Sequence, residues 1–143
     1  MTMAAERNVA FTDFMLRVAS AMEGREPAPA LRLVPSAPRS RARAVDDWFM
    51  LRTRTEQVMA EANAMLNHQA AIFDLEDEFG TGRLAFTISR GELWIRMYLV
   101  TMDEVRQGWV VLERSASPSP GRLVEPRDPG VLEDLLIGML QEA

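Results

Sequence analysis

The chain has 143 residues, 48% of them hydrophobic, which is enough material for one core, and it contains no cysteine, which excludes disulfides, thiolate metal ligation and a cysteine nucleophile. A formal net charge of −5 weighs against nucleic acid as the main partner. All sixteen basic residues are Arg, so a Schiff-base lysine and a P-loop lysine are both excluded; this usage fits a bacterial-type, GC-rich coding composition.

The first predicted element is a helix over Val9–Met22, with Phe11, Phe14, Met15, Val18 and Met22 on one face. Asn8 is its expected cap, and Gly24 ends it ahead of Pro27 and Pro29. Met1–Asn8 shows no basic stretch followed by an apolar run, and no segment reaches the roughly 20 apolar residues of a membrane span. The expectation is a cytoplasmic protein without membrane contact.

Glu26–Ala44 reads as a linker, because Pro27, Pro29, Pro35 and Pro38 forbid a regular helix. Arg32, Arg39, Arg41 and Arg43 form a basic run within it. Such a run can serve as an arm for phosphate, but without interleaved aromatics a solvated loop is preferred. Asp46–Asn67 is the clearest helix. Asp46 and Asp47 suit its N-terminus, and Trp48, Leu51, Thr55, Val58, Met59, Ala62, Met65 and Leu66 form a continuous stripe. The only histidine, His68, follows this helix, where the dipole favours a positive charge.

Phe73–Leu112 reads as a four-stranded antiparallel meander. With Arg90-Gly91 at the tip of a hairpin, Ile88 faces Leu93, Phe86 faces Ile95 and Leu84 faces Met97. With Gly80-Thr81 at the preceding tip, Leu75 faces Phe86, Phe73 faces Ile88 and Glu78 meets Arg83. A turn near Asp103-Glu104 sets Val110 against Met97, Leu112 against Ile95 and Trp109 against Tyr98; a longer loop over Met102–Arg106 would change that register. Gly80-Thr81-Gly82 is a turn and not a phosphate loop, since neither a Walker pattern nor a following helix is present. Asp74, Glu76 and Glu78 share one strand face. A hard cation favours oxygen ligands, but a flat face with Arg83 and Arg96 nearby reads as solvated or ion-paired, and no metal site is assigned. A second linker, Ser115–Arg127, precedes a C-terminal helix opened by Asp128-Pro129, whose apolar face carries Val131, Leu132, Leu135, Leu136, Met139 and Leu140.

The predicted fold is α+β: the four-stranded meander with an N-terminal helix, a long central helix before the sheet and a C-terminal helix, the helices chiefly on one face. The whole is one domain (1–143), divided into the N-terminal helix (1–25), the Pro/Arg linker (26–44), helix plus meander (45–114), the Ser/Pro linker (115–127) and the last helix (128–143). Opposite the helices the pattern gathers Trp94, Arg96, Tyr98, Trp109 and Val111. Trp, Tyr and Arg are enriched at interface hot spots, so this face is the predicted partner-binding site. The chain accordingly reads as a non-catalytic adaptor, regulatory or chaperone-like protein that pairs with a protein partner or with itself as a homodimer. No cofactor is implied, and the balance falls against an enzyme. The alternatives are a small-ligand binder or enzyme with a helix–sheet pocket to which His68, Asp74 and Glu76 contribute, and nucleic-acid binding through the Arg-rich linker.

Overall fold

A computed structural model of the chain describes residues 10–29, 39–66, 71–78, 83–102, 106–115, 122–124, 128 and 130–142. Helix α1 (Asp13–Met22) is followed by strand β1 (Arg39–Ser40) and the long helix α2 (Arg41–Met65). Strands β2 (Asp74–Asp77), β3 (Ala85–Arg90), β4 (Leu93–Met102), β5 (Gln107–Arg114) and β6 (Arg122–Val124) come next, and helix α3 (Val131–Glu142) closes the fold. The sheet runs β1-β5-β4-β3-β2, entirely antiparallel, with β6 also paired to β5. This corrects the four-stranded meander. Two short segments from outside Phe73–Leu112 extend the sheet: β1 lies beside Gln107 and Gly108, and β6 beside Val110, Val111 and Leu112. At two and three residues they are too short to show an alternation.

The expected hairpin registers are displaced by two residues, that of β4–β5 in the way the longer loop over Met102–Arg106 allows. Ile88 stands opposite Ile95, Phe86 opposite Met97 and Arg90 opposite Leu93. The turn tip is therefore Gly91-Glu92 and not Arg90-Gly91. Gly91 has φ +63° and Glu92 is not in the left-handed region, as a type II′ turn with glycine first requires. Leu75 faces Ile88 rather than Phe86, and Met97 faces Leu112 rather than Val110. Trp109 stands opposite Val100, while Val111 takes the place opposite Tyr98. Because side chains alternate with period two, the slip leaves every residue on its expected face. Gly80-Thr81 lies outside the described residues.

The inner face carries Phe73, Phe86, Ile88, Ile95, Met97, Leu99, Val110 and Leu112, all buried beneath the helices. The α2 stripe lies against them: Trp48, Leu51, Thr55, Val58, Met59 and Ala62 are buried, and the Trp48 and Phe86 ring centroids are 5.5 Å apart. The helix starts at Arg41, inside the stretch read as linker, because Ser40 caps it by accepting from Arg43 N–H at 3.2 Å. Asp47, expected near the cap, is instead buried and ion-paired with Arg39 of β1. The first turns of α2 come so close to β5 that a Cβ on Gly108 would stand 2.7 Å from the Ala44 Cβ.

Helix α3 is buried nearly all round, at Val131, Leu132, Leu135, Leu136, Ile137, Met139 and Leu140. It packs against α1 and α2 while Leu135 and Met139 reach Leu93 and Ile95 of the sheet. It begins at Val131, with Asp128 Oδ1 accepting from Gly130 N–H at 3.1 Å; Pro129 lies outside the described residues. Helix α1 starts at Asp13, capped by Thr12, whose hydroxyl accepts from Met15 N–H at 3.1 Å; Asn8 is outside the described residues. It packs on α2 and α3 through Phe14 and Val18, and Arg17 bridges Glu26 at 2.9 Å and Asp134 at 3.0 Å. Burial disfavours the charge on Arg17, but the hydrogen bonds to Glu26 and Asp134 outweigh it and leave the guanidinium pKa raised.

Candidate functional site

The outer face is built from alternate positions of four strands. Strand β4 presents Trp94, Arg96, Tyr98 and Val100, β5 presents Trp109, Val111 and Glu113, and β3 presents Ala85, Thr87 and Ser89. Asp74, Glu76 and Glu78 continue it along β2. The five residues expected to form the partner-binding face, Trp94, Arg96, Tyr98, Trp109 and Val111, thus share one side of the sheet, with α2 on the other.

Their arrangement is more self-contained than the sequence implies. Tyr98 sits at the centre, with the guanidinium of Arg96 4.6 Å and that of Arg83 5.0 Å from its ring centroid. Its hydroxyl donates to Glu113 Oε1 at 2.9 Å. Arg96 Nη2 donates to both carboxylate oxygens of Glu78, at 2.6 and 3.0 Å, and Arg96 Nη1 lies 3.8 Å from Glu113. The expected Glu78–Arg83 pairing is replaced by Glu78–Arg96, because the two-residue slip sets Glu78 beside Ala85 instead of Arg83. Burial, and then the hydrogen bond to Glu113, raise the Tyr98 pKa against the smaller opposing pull of Arg83 and Arg96. The phenol therefore remains a proton donor well above neutral pH.

Ala85, on this outer face, is only 2% exposed and Val111 9%. Trp94 sits at one end of β4 and is 38% exposed. Its backbone is fixed to the end of β5, since Trp94 N–H donates to Ser115 Oγ at 2.9 Å and Ser115 N–H donates to Trp94 O at 3.0 Å. Trp109, half-buried, stands toward the opposite end of β4, diagonal to Tyr98. The face is thus a clasped Arg–Tyr–Glu centre with an indole toward each end.

The other suspected residues do not converge. Asp74 and Glu76 are exposed on β2, and His68 lies outside the described residues. Among the described residues no group of three or more His, Asp or Glu side chains is placed to hold a metal ion. A cavity of about 330 Å³ does open between the first half of α2 and the end of β2, lined by Trp48, Phe49, Arg52, Asp77, Glu78 and Leu84 as well as Ala85. Neither Asp74 nor Glu76 lines it. A helix–sheet pocket is among the expectations from sequence, but not with these lining residues, because they come from three separate segments. At its rim Arg52 makes a two-point pair with Asp77, Nε to Oδ1 and Nη2 to Oδ2, both at 2.8 Å. The hydrogen bonds from Arg52 outweigh burial and hold the Asp77 carboxyl below the usual carboxylate range.

The described part of the Arg-rich stretch, residues 39–44, is built into the sheet and α2. Arg39 belongs to β1 and pairs with Asp47, while Arg41 and Arg43 open α2, with Arg41 N–H donating to Arg106 O at 2.9 Å; Arg32 is outside the described residues. Among the described residues no helix is long and apolar enough to cross a membrane. No family model, curated protein or solved structure matches the chain.

Proposed function

We propose that this chain is a non-catalytic interaction protein, of adaptor, regulatory or chaperone-like type, that docks a protein on its outer sheet face, in the first instance a second copy of itself. The observation that carries this reading is the placement of three of the chain's four Trp and Tyr side chains on the sheet face that, among the described residues, carries no helix, with Trp94 38% exposed at its rim. Rigid aromatic anchors beside an arginine whose geometry is already fixed lose little entropy on docking. Arg96 and Tyr98 are held by Glu78 and Glu113, so they supply a preorganised platform, and the indoles of Trp94 and Trp109 supply apolar contact.

The test is sedimentation equilibrium on the wild type and on Trp94→Glu, with thermal melts to show that both are folded. The expected result is a reversible dimer that Trp94→Glu weakens at least ~10-fold. A monomeric wild type, or a dimer indifferent to the change, defeats the self-pairing form of the proposal.

A further inference from the structure

Strand β2 ends the sheet order β1-β5-β4-β3-β2. Glu78 N–H donates to Ala85 O at 3.0 Å, so the even-numbered residues of β2 bond to β3. In an antiparallel ladder the main-chain groups of the odd-numbered residues, Phe73, Leu75 and Asp77, then point away from β3. Those of Phe73 are already satisfied. Phe73 N–H donates to Asn63 Oδ1 at 2.8 Å, and Asn63 Nδ2 donates to Phe73 O at 3.0 Å. The side-chain amide of α2 thus pairs with Phe73 as the peptide group of another strand would. The pairing stops there: among the described residues nothing bonds to the N–H and C=O of Leu75 and Asp77.

Beside this two-residue gap lie features of opposite character on the two faces. On the outer face, Asp74 and Glu76 are exposed and make no ion pair among the described residues. At the far end, the 330 Å³ cavity opens between the α2 side chains Trp48 and Phe49 and the β2 end at Asp77. Phe49, 51% exposed, forms its outer wall.

We propose that this edge takes up an extended, basic peptide segment of a different protein as an added antiparallel strand. The main chain of the segment bonds to Leu75 and Asp77, continuing the pairing that Asn63 begins. Its Lys or Arg side chains lie beside Asp74 and Glu76, and a large apolar side chain on the opposite face fills the cavity by Phe49. Backbone bonds with alternate side-chain pockets are the general form of strand addition. A second copy of this chain does not suit the site, because two β2 edges side by side would set Asp74 and Glu76 against the same carboxylates.

The probe is the capped peptide Lys-Val-Lys-Phe-Lys-Val-Lys, titrated into the full chain and followed by amide NMR. Expected are binding at a Kd of about 100 μM or tighter and slowed hydrogen exchange at Leu75 and Asp77. Residues paired with Leu75 and Asp77 carry their side chains on the helix side, so the Val and Phe amides of the probe must face β2. Methylating those backbone nitrogens should weaken binding at least ~10-fold, and methylating the Lys nitrogens should leave it within about twofold. Glu in place of Lys should abolish it. Absence of binding, equal effects of the two methylation patterns, or perturbation centred on Trp94 instead of Leu75 overturns the proposal.

Discussion

The two faces of the sheet are held by opposite means. The inner face is shielded by other elements: α2 and α3 lay branched and aromatic side chains over Phe86, Ile88 and Met97, each fully buried. The outer face is held by its own polar framework, as Arg83 and Arg96 stand over the Tyr98 ring while Glu78 and Glu113 bond to Arg96 and Tyr98. Apolar burial by helices is large and insensitive to direction, whereas the outer framework depends on a few charge-assisted bonds with fixed geometry. The inner face should therefore dominate stability, and the outer face should be the one whose shape can be put to use.

The sharpest way to break this contrast is Phe86→Ala. Removing a fully buried ring from the inner face should cost about 3–5 kcal/mol in urea unfolding, and a loss comparable to that of outer-face changes would contradict the division. Gly108→Ala comes next. The added Cβ meets Ala44 at 2.7 Å, so the start of α2 must shift away from β5; roughly 1–3 kcal/mol should be lost, with slower exchange at α2's first turn counting against the clash. On the outer face, Tyr98→Phe keeps the ring between its guanidinium neighbours and deletes only the donor to Glu113; about 1 kcal/mol is expected. Trp94→Ala should change the melting free energy least, by about 0.5 kcal/mol or less, while having the larger effect on self-association.

A pH titration sharpens the same comparison at the cavity rim. The Asp77 carboxyl has a lower pKa in the folded state than in the unfolded chain, so its pair with Arg52 contributes fully above the usual Asp value of about 3.9 and is lost as pH falls through the folded value. Asp77→Asn should flatten the acid limb of the stability curve below about pH 4. An unchanged limb would mean that the pair is screened by solvent.

How far the sequence leads can be read from the hairpins. Alternation assigned Phe86, Ile95 and Met97 to the interior and Trp94, Arg96 and Tyr98 to the exterior, and the structure puts them there. The same alternation is blind to a slip of two, since every face is preserved, and only the conformation at Gly91-Glu92 distinguishes the registers. The start of α2 was misplaced because acidic Asp46 and Asp47 resemble a helix N-terminus more than Ser40 does amid arginines. Asp47 is acidic for another reason, as the buried counterion of Arg39. Of the partner-binding face, membership was legible and organisation was not: the Arg–Tyr–Glu clasp depends on the side-by-side placement of β2, β3, β4 and β5, which no local pattern records.

Strands β1 and β6 lie one after the other along the same side of β5, though β1 precedes all of the meander and β6 follows it. β1 reaches β5 only across the whole meander, for two pairings, whereas β6 returns to β5 from about ten residues further on, for three. The β1 part of this rim should be the last of the sheet to zip and the first to fray, so that proteases or brief opening events reach the chain there while the hairpin beneath stays intact.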